Sequence, residues 1–140
     1  MLAAFGRPVT RAALKRAGLV FVFSWFAIGG VAHFAFRDLE LRIVPPYVPW
    51  PGAAVWVSGV FELLGAAGLL LRGTRRAAGW GLFCLTLAVT PANVYMLQRP
   101  DLFAVPLWLL VLRLPVQVGL LALILWSTRA DDGNQSALRS

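Results

Sequence analysis

The stretch Ala53–Leu71, AAVWVSGVFELLGAAGLLL, constrains this chain most. It is 19 residues long and apolar throughout, with one carboxyl group, Glu62, at its centre. A run of that length crosses the ~30 Å hydrocarbon core of a bilayer as a helix. A charge at the midplane costs roughly 2.5–3.5 kcal/mol on insertion scales, so it must be paired, protonated or turned to water. The other segments have to provide that environment for Glu62.

Three further apolar runs flank it: Ala17–Phe36, Ala77–Leu97 and Leu102–Trp126, the last broken by Arg113. Of the 140 residues, 59% are hydrophobic and 14% charged, against ~45–50% and ~25% in soluble domains. The sequence therefore predicts an all-α, membrane-spanning, up-down-up-down four-helix bundle over 17–127. A basic cytoplasmic lead over 1–16 precedes it, and a polar cytoplasmic tail over 128–140 follows. Cleavage of the first run as a signal peptide after Gly30-Val31-Ala32 is disfavoured, because the run is long enough to span and three more follow. The prolines at 45, 46, 49 and 51 predict a connection over 37–51 without regular helix. Cys84, in an apolar run, reads as a small buried hydrophobe.

The net charge of +7 does not indicate nucleic acid. Its basic residues sit at the ends of apolar runs, the pattern that sets membrane topology. The lipid bilayer is the partner this composition demands. Four Lys/Arg lie in the lead, three in Arg72–Arg76 and two in the tail, against Arg37, Arg42 and Arg99 in the other two connections. The bias predicts an inner (cell) membrane protein with both termini cytoplasmic. Trp80 and Trp126 then mark the inner interface, and Tyr47, Trp50, Trp56 and Trp108 the outer one.

Each run contributes a polar residue to the interior: His33, Glu62, Asn93, and Arg113 with Gln117 one turn on. At ~1.5 Å per residue, Glu62 lies about 14 Å below its outer helix end and Arg113 about 16 Å below Leu102. Equal depth predicts an ion pair between Glu62 and Arg113, with His33 above it. Ser58, Glu62 and Ala66 share one face, with Gly59 and Gly65 beside it, so close helix approach is expected there. Thr86, Thr90 and Asn93 share a face of the third run. Pro91 and Pro115 each free a carbonyl one turn back. These groups predict a polar cavity opening outward, with Tyr47 on the proline-rich connection placed to close over it. His33 and Glu62 are the catalytic candidates; Asn93, Arg113, Gln117 and Tyr47 are the ligand-binding candidates. One cysteine and one histidine leave neither a thiol pair nor a metal-ligand set.

Five segments resemble the DoxX-like family of small four-helix membrane proteins. They are Ile28-Gly29-Gly30-Val31-Ala32-His33-Phe34, Val44-Pro45-Pro46-Tyr47-Val48-Pro49, Ser58-Gly59-Val60-Phe61-Glu62-Leu63-Leu64-Gly65, Pro91-Ala92-Asn93-Val94-Tyr95-Met96 and Arg113-Leu114-Pro115-Val116-Gln117. The resemblance covers about Ala17 to Trp126. It implies the membrane subunit of a quinone- or sulfur-linked redox complex, with a quinone as the cofactor class and soluble or membrane redox proteins as partners. Any catalysis is then that of an oxidoreductase subunit. Two other readings stay open: a small proton-coupled transporter working as a homodimer around Glu62, and a non-catalytic scaffold.

Overall fold

A computed structural model describes residues 9–129; the expectations for residues 1–8 of the lead and 130–140 of the tail fall outside it. The described chain is helical, with helices α1 (Arg11–Ala35), α2 (Arg37–Ile43), α3 (Pro51–Leu70), α4 (Arg75–Ala88), α5 (Thr90–Gln98) and α6 (Leu107–Thr128). A 3-10 turn over Pro100–Leu102 precedes α6. Four helical stretches are long and apolar enough to cross a membrane: α1, α3, α4 together with α5, and α6. This is a multi-pass membrane protein built as a helical bundle.

Local chemistry accounts for several helix ends. The Thr10 hydroxyl accepts the Ala13 N–H at 3.2 Å and caps α1, which therefore takes Arg11, Lys15 and Arg16 of the basic lead into its first turns. Pro51 occupies the first turn of α3, where its missing N–H costs nothing. The α3–α4 hairpin is closed by side chains. Thr74 Oγ1 donates to the Gly68 carbonyl at 2.8 Å, and Arg75 Nε to the Leu69 carbonyl at 2.9 Å.

Four expectations are corrected. The first connection is not free of helix, because α2 forms ahead of its prolines. Proline disfavours helix at the residue before it and in a helix interior, so Arg37–Ile43, ahead of Pro45, is free to coil, and Asp38 and Glu40 in the first turn favour the helix dipole. The third span is not continuous. It breaks at Val89, with Pro91 in the first turn of α5. The fourth helix begins at Leu107, after Pro106, and not at Leu102. Cys84 is also exposed, not buried.

The packed core holds Val22 and Phe26 of α1, Ala66 and Leu69 of α3, Leu82 of α4, and Leu120 and Ile124 of α6. Beyond it, near one end of the bundle, Lys15 Nζ donates to the Arg129 carbonyl at 3.0 Å. A close backbone approach joins α1 to α3. A Cβ on Gly30 would stand 2.7 Å from Leu63 Cγ and 3.1 Å from the Gly59 carbonyl oxygen. A Cβ on Gly59 would stand 2.7 Å from His33 Cβ. Only glycine at both positions lets the two backbones come this close.

Candidate functional site

That close approach sets the register that brings His33 to Glu62. The imidazole Nδ1 lies 2.9 Å from the Gly29 carbonyl, four residues back on its own helix. A carbonyl only accepts, so Nδ1 carries a proton and donates it there. Glu62 Oε2 lies 3.7 Å from the same Nδ1. Both side chains are mostly buried, 15% and 12% exposed. Glu62 Oε2 is fully enclosed and has no hydrogen-bond partner in the structure. Gly29 makes the room for it, since a Cβ there would meet Oε2 at 2.7 Å.

A second polar group joins α4 and α5 to α6. The buried Gln117 amide donates to the Thr86 carbonyl at 3.2 Å and to Thr90 Oγ1, and its carbonyl accepts from Asn93 Nδ2. Thr90 Oγ1 in turn donates to the Thr86 carbonyl at 3.1 Å. The helix break at Val89 sits inside this network. All of the amide capacity of Gln117 is directed to protein partners, apart from the second lone pair of its oxygen.

Arg113 departs from expectation. Its Nη1 donates to Met96 Sδ at 3.4 Å. Among the described residues, Arg99 pairs with Asp101 and the His33 imidazole lies beside Glu62, and neither pairing includes Arg113. The late start of α6 explains this. Counted from Leu107, Arg113 is only about 9 Å along its helix, whereas Glu62 is about 16 Å from Pro51. Equal depth was the premise of the expected pair, and the extra non-helical residues before α6 remove it.

His33, Glu62, Asn93, Arg113, Gln117 and Tyr47 nonetheless line one cavity of about 760 Å³. Ser58 and Thr86 also line it, amid an otherwise largely apolar wall. The cavity lies towards the end of the bundle that carries α2 and the loop after it. Pro45 of that loop is buried, while Tyr47 is 73% exposed, at the rim and not folded inward. The structure adds two residues that the sequence did not single out. Glu40 reaches the cavity from α2, and its signal was the acidic first turn of a short helix hidden by the prolines that follow. Met96 supplies the sulfur under Arg113; it shares a helix face with Asn93, three residues earlier.

Outside the membrane-length helices, Arg99 Nη2 and Asp101 Oδ2 pair at 3.2 Å. The hydrogen bond from Arg99 holds the Asp101 carboxyl below its ordinary value, and the same bond raises Arg99.

No curated protein and no solved structure matches the chain. A family model does match residues 22–130, from the middle of α1 through the whole cavity to the end of α6. The chain thus belongs to the family described as a domain of unknown function, DUF8561.

Proposed function

We propose that this protein is a DoxX-like membrane subunit of a redox complex, whose cavity binds the head group of a quinone or quinol. One observation carries the reading: Glu62, whose Oε2 is enclosed without a hydrogen-bond donor, lines a cavity of about 760 Å³. An enclosed polar atom without a partner costs about 1–3 kcal/mol, and a turn of the carboxyl towards the cavity would let a bound hydroxyl donor remove that cost. The cavity has the size of a small-molecule site. A bound quinone supplies two-electron, two-proton chemistry, with the electrons passing to or from a redox partner protein. Glu62 and His33, 3.7 Å apart, are placed to accept and release a proton at the carboxyl and at Nε2. Arg113 donates hydrogen bonds to a carbonyl or anionic oxygen from the opposite wall.

Topology and location belong to the same reading. The paired contacts of Lys15 with Arg129, Gly68 with Thr74 and Thr86 with Gln117 support up-down-up-down order. The Lys/Arg bias supports an inner membrane with both termini cytoplasmic and the cavity towards the outer face. The DoxX-like resemblance rests on the five segments quoted above.

Protein extracted in mild detergent should carry a quinone detectable by native mass spectrometry. Glu62→Gln and Arg113→Leu should each lose most of it. Substrate-driven proton flux in proteoliposomes, abolished by Glu62→Gln and without bound quinone, would establish the transporter reading instead. A function that survives loss of His33, Glu62 and Arg113 together would leave a scaffold.

A further inference from the structure

The cavity has a side. Along α1, Gly29 and His33 sit against α3, while Trp25 and Ile28 are 45% and 71% exposed, yet all four line the cavity. Along α6, Gln117 and Leu120 are buried, while Leu109, Arg113 and Val116 are exposed lining residues. Lining residues that are also exposed mark a rim. Besides Tyr47 in the loop after α2 and Ala88 and Pro91 beside the α4–α5 break, they form one stripe on α1 and one on α6, at i, i+3 and i, i+4, i+7 spacing. The same two helices meet at the other end of the bundle, where Lys15 bonds the Arg129 carbonyl and Gly18 lies against Leu123 and Ser127. They pack together at that end, and at the cavity end the two exposed stripes flank their join. Both stripes lie within the membrane-length part of their helices, so an opening between them would face lipid, not water.

Resting on the binding reading above, we infer that the ligand is a tailed amphiphile that enters from the bilayer between α1 and α6. Its head group lies between Glu62 and Arg113. Its hydrocarbon tail lies in the gap bounded by Trp25 and Ile28 on one side and Leu109 and Val116 on the other. The chemistry of the rim fits such a molecule. Four of the five side chains in the two stripes are apolar, which suits a tail. The fifth, Arg113, is a guanidinium without a carboxylate partner among the described residues. A cation at a lipid-facing rim is costly unless it meets a polar head group or reaches the interface. A water-soluble ligand would gain nothing from an apolar side opening.

A quinone carrying a diazirine in its tail tests the assignment in lipid nanodiscs containing the full chain. Irradiation should label peptides spanning Trp25–Ile28 and Leu109–Val116, and excess unlabelled tailed quinone should suppress that labelling. Val116→Trp, and independently Ile28→Trp on the facing helix, should lower the rim labelling at least fivefold. Val118→Trp, on an exposed part of α6 away from the cavity, serves as the control for bulk alone. Helicity and elution volume check the fold of each variant. Saturable labelling confined to other helices, or insensitive to both rim variants, would overturn the side entry while leaving quinone binding in place. Absence of saturable labelling by both the tailed probe and a tail-less head-group probe would remove the binding reading itself.

Discussion

Two polar seams run through this bundle, and they differ in one respect. Where α4 and α5 meet α6, Gln117 donates to the Thr86 carbonyl and to Thr90 Oγ1, and accepts from Asn93. Where α1 meets α3, the single imidazole donor facing Glu62 is spent on the Gly29 carbonyl, and Glu62 Oε2 is left without a partner. Both seams lie in apolar surroundings, where an unmet polar atom is expensive. The first is a joint between helices. The second retains binding capacity that the protein itself does not use. Residue type alone does not separate these roles; the count of satisfied atoms does.

The comparison can be broken most severely by forcing the α1–α3 seam apart. Gly59→Leu places side-chain atoms where His33 Cβ and the Phe34 ring already stand, at 2.7 and 2.9 Å from a new Cβ. It should lower the unfolding free energy in mixed micelles by about 3 kcal/mol, the upper end of overpacking costs. An unchanged unfolding curve would mean the helices do not approach as described. The next largest effect should fall on the other seam. Gln117→Leu strands three partners, and at roughly 0.6 kcal/mol per bond in a membrane protein the loss is about 2 kcal/mol. Glu62→Gln, which keeps the shape and strands no donor, should cost less than about 1 kcal/mol by the same assay. The reverse ranking would make Glu62 the joint and Gln117 the site.

A smaller effect distinguishes the geometry seen here from an ion pair between α3 and α6. Residues that do not touch contribute additively, within about 0.5 kcal/mol. The Glu62→Gln and Arg113→Leu changes should therefore add in a double-mutant cycle. A coupling well above that margin would place the guanidinium on the carboxylate. The smallest effect lies at the loop before α6. Hydrogen bonding to Arg99 lowers the folded-state value of Asp101 from its ordinary 3.8. A lowered acid stabilises the fold above the unfolded value and loses that contribution as pH falls through the folded one. Carbon-13 titration of the Asp101 carboxyl should thus run below 3.8, and Arg99→Ala should return it upward. Because both side chains are exposed, little change in melting temperature should accompany it.

Much of the fold was legible in the apolar runs, because their length reports directly on what can cross a bilayer. The errors came where an apolar stretch need not be a helix. Leu102, Phe103, Ala104 and Val105 are as apolar as the residues that follow, yet Pro106 sets the start of α6 after them, and hydropathy does not register that step. The depth of Arg113 was misjudged for this reason alone. The prolines of the first connection had the opposite effect: they concealed α2, and with it Glu40. The candidate residues did share a cavity, since each sat on the inward stripe of its own helix. Their partners could not be read the same way. Whether Glu62 faces His33 or Arg113 depends on the sliding register of α1 on α3, and that register is set by backbone contact at Gly30 and Gly59, which carries no periodic signal.

The bare Cα of Gly29 works as a spacer. A methyl group there would collide with the free end of the Glu62 carboxyl at 2.7 Å, and with no backbone from another helix. The carboxyl could swing away without disturbing the helices. Such a protein would keep every polar group it has now and still lose the arrangement of them. Position 29 therefore governs the aperture of the site independently of its chemistry, and a chain that drifts from glycine there would remain a sound membrane bundle with its receptacle shut.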